Sequence, residues 1–170
     1  MFEFDEDILD LLKKSGWSAN REVPIDKILD YYGKVKYVCN EMQLKFLKSF
    51  SNLVITFDNP MAVNFPKLKS MPVRFILDPF YAAHNFRIQV RDYEIHFEKN
   101  MIPIAEVPNE NMVVFLAEDG VFYGGSDESI IEFGKGLNTV LYKLKNGITS
   151  PVIKVKAYDD DEYDMDREFM

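Results

Sequence analysis

The chain is poor in the side chains that most often carry chemistry: among 170 residues it has one cysteine, Cys39, and two histidines, His84 and His96. A lone thiol cannot close an internal disulfide and is not a zinc site by itself, so the pattern suits a reducing, cytoplasmic compartment. Cys39 sits in the apolar run "KYVCNE", where a structural thiol is the usual case. The apolar spacing predicts one helix over about Phe80 to Glu98. On it the two imidazoles would stand about 18 Å apart along the axis, far beyond the bonds of about 2 Å that a shared metal requires.

Long apolar runs are also missing. The first residues, "MFEFDEDILDLLKK", are acidic where a signal peptide starts basic, and no stretch approaches the ~18 apolar residues of a membrane span. A soluble cytoplasmic protein with no membrane partner is expected. A basic excess is absent as well, since the net charge is −8. Acids and bases balance up to Lys99. Residues 100–134 then hold Glu106, Glu110, Glu118, Asp119, Asp127, Glu128 and Glu132 without one base, residues 135–157 hold lysines without an acid, and residues 158–170 form an acidic tail. Direct nucleic-acid binding needs Lys or Arg on phosphates, so this balance argues against it and suits a basic partner instead.

Motifs for catalysis or cofactors are missing too. "DGVFYGGSDES" lacks the GxxxxGK[ST] pattern of a phosphate loop and has acidic surroundings. The run from Asp159 to Asp164 lacks the Gly at the sixth position and the Glu at the twelfth that a calcium loop uses; those positions hold Asp164 and Met170. No catalytic residue, metal or cofactor is assigned.

What the chain does have is apolar mass: 47% hydrophobic residues, with 14 Phe and 9 Tyr, enough for a packed core in one domain of this length. Three helices open it. "DEDILDLLKKSG" has Asp5 as N-cap and Gly16 as stop; "PIDKILDYYG" starts after Pro24 and stops at Gly33; "NEMQLKFLKSF" carries Met42, Phe46, Leu47 and Phe50 on one face. Leu53 to Phe57, Pro72 to Leu77 and "MIPIAEV" read as strands. A hairpin turns at Glu118-Asp119-Gly120 between Val113 to Leu116 and Val121 to Tyr123. A late helix, "GLNTVLYKLKNG", ends at Gly147, and a strand follows at Val152 to Val155. Helices first, strands in the middle and a helix late give an α+β fold.

The landmarks "SGW" with Arg21, "FLKSFSNL", "FILDP", "MIPIAE", "VVFLAEDGVFYGG" and "LNTVLYKLKNG", in that order, resemble the SUKH-superfamily immunity proteins, most closely their third family. The resemblance covers about Ile8 to Gly147. It implies a central, mainly antiparallel sheet flanked by helices, with an immunity domain over residues 1–157 and the tail 158–170 outside the match. It also implies a non-enzymatic role in bacteria: stoichiometric binding of a cognate polymorphic or contact-dependent toxin, often a nuclease. One departure is Pro103-Ile104-Ala105, where the family has glycine third. A regulatory or adaptor module of the same fold is the alternative.

Gly16, Trp17 and Arg21 are read as structural landmarks: an indole just after a helix stop packs inward, and the arginine pairs with a carboxylate or covers the ring. The motif alone does not separate such a packing point from a binding hot spot. For the acids, a solvated surface with the tail folded back on the late lysines stands beside a second reading. In that one Glu118, Asp119, Asp127, Glu128 and the tail residues Asp159, Asp160, Asp161 and Glu162 meet a basic toxin.

Overall fold

The computed structural model describes residues 2–84 and 87–158. Seven strands form one sheet: β1 (Leu53–Phe57), β2 (Val73–Leu77), β3 (Met101–Val107), β4 (Met112–Ala117), β5 (Val121–Ser126), β6 (Ser129–Lys135) and β7 (Val152–Lys154). Their spatial order is their sequence order, and every neighbouring pair is antiparallel. Six helices surround them: α1 (Glu6–Lys14), α2 (Asp26–Lys34), α3 (Glu41–Phe50), α4 (Pro79–Ala82), α5 (Arg87–Phe97) and α6 (Leu137–Asn146). The fold is therefore the α+β arrangement with a flanked antiparallel sheet.

Consecutive strand residues point to opposite faces, which shows how the sheet is covered. In β5, Phe122 packs against Phe46 of α3 at 5.5 Å between ring centroids, while Tyr123 packs against Phe97 of α5 at 4.7 Å. The β4 partners agree: Phe115, opposite Tyr123, meets Tyr93 of α5. Helix α3 thus lies on one face and α5 on the other. The central strands β3 to β5 are accordingly buried almost throughout, whereas β1 alternates buried and exposed residues like a strand covered on one face. Pro103 fits inside the central β3 because the register shifts between Pro103 and Ala105, the irregularity at which a strand tolerates proline. Ala105, in the place of the family's glycine, is fully buried and is not among the residues with positive φ.

At the end of α1 the backbone forms a left-handed stop. Gly16 has φ +93, its N–H reaches Lys13 O, and the N–H of Trp17 reaches Leu12 O, so the indole is turned back toward the core. Trp17 is 8% exposed, stacks on Phe50 with its ring almost parallel at 5.6 Å, and donates its Nε1–H to Ser49 Oγ at 3.0 Å. Among the described residues Arg21 meets neither a carboxylate nor the ring. Its Nη1 and Nη2 donate to Ser49 O and Ser51 O, each at 2.7 Å, closing carbonyls at the C-terminus of α3, and burial pulls its pKa down. The other end of α3 has a reciprocal cap between Asn40 and Gln43, and Gln43, fully buried, also donates Nε2–H to Leu116 O of β4 at 2.9 Å.

Three local expectations are corrected, and one strand is added. Gly33 does not stop α2: the helix runs to Lys34, and Lys36 takes the left-handed position at φ 62, because Tyr37 then docks as a buried side chain with its N–H on Tyr32 O. Asp5 precedes α1 without a side-chain cap; it exchanges hydrogen bonds with Asn138 of α6 instead. The single helix over Phe80 to Glu98 is two helical segments, α4 and α5. Asp78 caps the first through Tyr81 N–H, and His84 turns out of it to lay its ring on Tyr31. Strand β6, "SIIEFGK", has no counterpart in the sequence reading.

The Trp17 and Arg21 contacts predict unequal losses. Trp17→Ala removes a stacked ring and leaves Ser49 Oγ without its donor, at a cost of about 3 to 5 kcal/mol. Arg21→Lys keeps the charge but cannot span two carbonyls, at about 1 to 2 kcal/mol. Urea unfolding measures both; an unchanged midpoint in Arg21→Lys would show that the fork geometry of Arg21 contributes nothing.

Candidate partner-binding surface

An antiparallel meander sends alternate turns to opposite ends, and the registers sort the connections here. Phe57 lies opposite Val73, Val107 opposite Met112, Ser126 opposite Ser129, and Lys154 opposite Ser129. The β1–β2 connector, the β3–β4 turn, the β5–β6 turn and the end of β7 therefore share one end of the sheet. The β4–β5 turn lies at the other. Six residues of β5 separate the two acidic hairpin turns, about 20 Å at strand rise. Glu118 and Asp119 thus do not form one patch with Asp127 and Glu128, although all four fall in one acidic stretch of sequence.

At the β4–β5 end the carboxylates are engaged within the fold. Asp119 makes an ion pair with Lys99 Nζ at 2.7 Å and accepts from Val121 N–H, while Glu118 Oε2 accepts from Asn100 Nδ2 at 3.0 Å. Asn40, the cap of α3, donates to Glu118 O at 2.8 Å. Partial burial works against the charge of Asp119, but the bonds from Lys99 and Val121 outweigh it, and its pKa is held below the ordinary carboxylate value. The same pair raises the pKa of Lys99.

At the opposite end Asp127 takes the left-handed conformation, φ 50, in the two-residue turn joining β5 and β6. The buried Tyr93 of α5 holds it there by donating its hydroxyl to Asp127 O. Glu128 O accepts from Val155 N–H, and beyond β7 the chain passes α5, where Tyr158 N–H meets Asp92 Oδ1. Asp159, Asp160, Asp161 and Glu162 lie outside the described residues. Beside the turn, α5 and the ends of β3 to β5 enclose a cleft of about 310 Å³ lined by Tyr81, Tyr93, Glu106, Phe115 and Asp127 among others.

The same end carries a feature that the sequence reading missed. The connector between β1 and β2 exposes Met61, Val63, Phe65 and Met71, with Val63 88% exposed, and it includes Lys67 and Lys69. Asn109 of the β3–β4 turn fastens it by bonds to Pro72 O and Arg74 N. Such a group of large apolar side chains is a candidate interaction surface. The only sequence signal is that these residues, in a Pro-broken segment, fit neither helical nor strand periodicity.

The imidazoles do not converge. His84 stacks on Tyr31 and bonds Phe80 O, whereas His96 sits on α5 against Phe97. Burial lifts the Cys39 thiol to about 11, so at neutral pH it is not a thiolate nucleophile. Among the described residues no group of three or more His, Cys, Asp or Glu is placed to hold a metal ion, and no helix is long and apolar enough to cross a membrane.

The Lys99–Asp119 pair has a pH signature. Because the folded pKa of Asp119 is depressed, its contribution is present above the ordinary carboxylate value of about 4 and is lost as pH falls through the folded value. The difference in urea midpoint between wild type and Asp119→Asn is expected to be constant from about pH 7 to 5 and to shrink below about 4. A difference independent of pH would exclude the ion pair as its source.

No curated protein and no solved structure matches the chain. The family model described as SUKH-3 immunity protein matches residues 4–147, from before α1 to the end of α6. With that match over most of its length, the chain belongs to the SUKH-3 family of toxin-neutralising immunity proteins.

Proposed function

We propose that this protein protects its producer by binding a basic cognate toxin of the nuclease kind in the cytoplasm, stoichiometrically and without catalysis. Membership of the immunity family carries the reading. The net charge of −8 supports a basic partner, since opposite charge speeds encounter and an acidic protein can occupy a groove built for phosphate. Asp127, Glu128 and the tail residues Asp159 to Glu162 are the proposed acidic contacts, beside the apolar side chains of the β1–β2 connector. Glu118 and Asp119, bound to Asn100 and Lys99, serve mainly the fold. Residues 1–157 are the proposed folding unit, with the tail as a separate charged segment.

The test is co-expression with the toxin encoded beside this gene. Wild type should restore growth and form a one-to-one complex; failure of both would refute the immunity reading. Reversal of Asp127 and Glu128 to lysine is expected to slow association and weaken the complex at least about tenfold, more at low salt. The same reversal at Glu118 and Asp119 should lower stability more than affinity. Truncation after Ala157 should leave the urea midpoint unchanged and slow association. Affinity and salt dependence unchanged in both the Asp127/Glu128 reversal and the truncation would refute the acidic contact.

A further inference from the structure

The geometry points to the cleft beside the β5–β6 turn as the seat of one arginine side chain from the protein partner, its guanidinium lying against the aromatic lining and bonded to Asp127. The inference rests on the toxin-binding reading and names the group that this surface selects.

Three observations carry it. The first is that the cleft is built into the core. Tyr93 and Phe115, 2% and 3% exposed, form its floor, and Tyr81, 59% exposed, stands at its edge. The rings lie close to the sheet because position 125 is glycine. A Cβ there would come 2.8 Å from Tyr93, closer than real Cβ atoms approach, and 3.0 Å from Phe115, so both rings would have to shift. The second is rigidity: the Tyr93 hydroxyl that closes the floor also holds Asp127 O, so the carboxylate-bearing turn and the aromatic floor are one assembly. A partner side chain meets a formed site and loses little order in making it.

The third is sign and size. Among the described residues the charged ones that line the cleft are Glu106 and Asp127, both acidic. Its volume of about 310 Å³ is at the low end of ligand sites, which run from about 300 to 1,000 Å³, and suits one long side chain rather than a cofactor. An apolar side chain would strip water from the Asp127 carboxylate and return no hydrogen bond. An anion would be repelled. A guanidinium satisfies both halves of the site, because it is planar, weakly hydrated, stacks on aromatic rings and donates in pairs to a carboxylate. Lysine offers a strongly hydrated point charge that gains less from the rings.

The test uses the full chain without the toxin, so its failure is distinguishable from failure of the immunity reading. Amide shifts in a ¹⁵N spectrum are followed while Nα-acetyl-arginine methylamide is added, with the citrulline analogue, equal in shape and uncharged, as control. Saturable shifts centred on Val90, Phe115, Gly125 and Asp127 are expected with arginine and not with citrulline. Asp127→Asn, a residue type that keeps the left-handed turn, should weaken the response about tenfold. Gln89→Trp, which fills the cleft from α5, should abolish it while the remaining spectrum stays folded. Equal shifts with citrulline, shifts centred elsewhere, or an unchanged response in both variants would overturn the assignment.

Discussion

The structure depends on how α3 is fastened at both ends. At its start Gln43, with no exposed surface, closes the cap with Asn40 and reaches the carbonyl of Leu116 in β4; at its end Arg21 spans the carbonyls of Ser49 and Ser51. Buried polar groups of this kind are costly unless fully bonded, so they hold only if the helix sits in one position. That position lets Phe46 and Phe50 meet Phe122 and Trp17 at once. The Trp17 and Arg21 stretch is thereby the junction at which α1, the loop and α3 fix one another, since the left-handed Gly16 aims the indole and Ser49 receives both the indole N–H and, through its carbonyl, the guanidinium.

The meander then divides the molecule into two ends with different demands. At the β4–β5 end the acids are matched within the fold: Lys99, Asn100 and the α3 cap all meet the Glu118–Asp119 turn. At the other end gather the connector with its exposed apolar side chains, the β3–β4 turn and the β5–β6 turn. A turn at the end of a hairpin can change sequence with little effect on the strands beneath it. Stability concentrated around α3 and the proposed recognition in turns at one end are therefore compatible demands on one chain.

Much of this was legible because it is local. Gly16, Gly147 and the Glu118-Asp119-Gly120 turn mark their elements through backbone conformations that few residues adopt, and the α3 stripe of Phe46, Leu47 and Phe50 needs only helical period. The failures each have a non-local cause. Ala82, Val90 and Tyr93 are all buried and keep a continuous helical spacing, yet they belong to two helices. Strand β6 alternates imperfectly, with Ile130 and Phe133 buried around an exposed Glu132, because its pairing with β5 shifts register between Phe122 and Tyr123. The four acids read as one zone because charge was counted along the chain, whereas an antiparallel sheet sets successive turns a strand length apart.

The glycine pair Gly124-Gly125 shows what a sequence pattern withholds. Read in isolation it is a flexible, turn-prone dipeptide, and no backbone angle at either residue requires glycine. In the fold both positions lie inside a central strand, one against Met112 and Phe133, the other against Tyr93 and Phe115, so a missing side chain is needed on each face in turn. A strand interior weakened by two glycines is unfavourable for sheet stability alone. It is consistent with a sheet whose one face must admit large rings close to the backbone, and that close approach is what lets Tyr93 serve at once as core, as anchor of the Asp127 turn and as floor of the cleft.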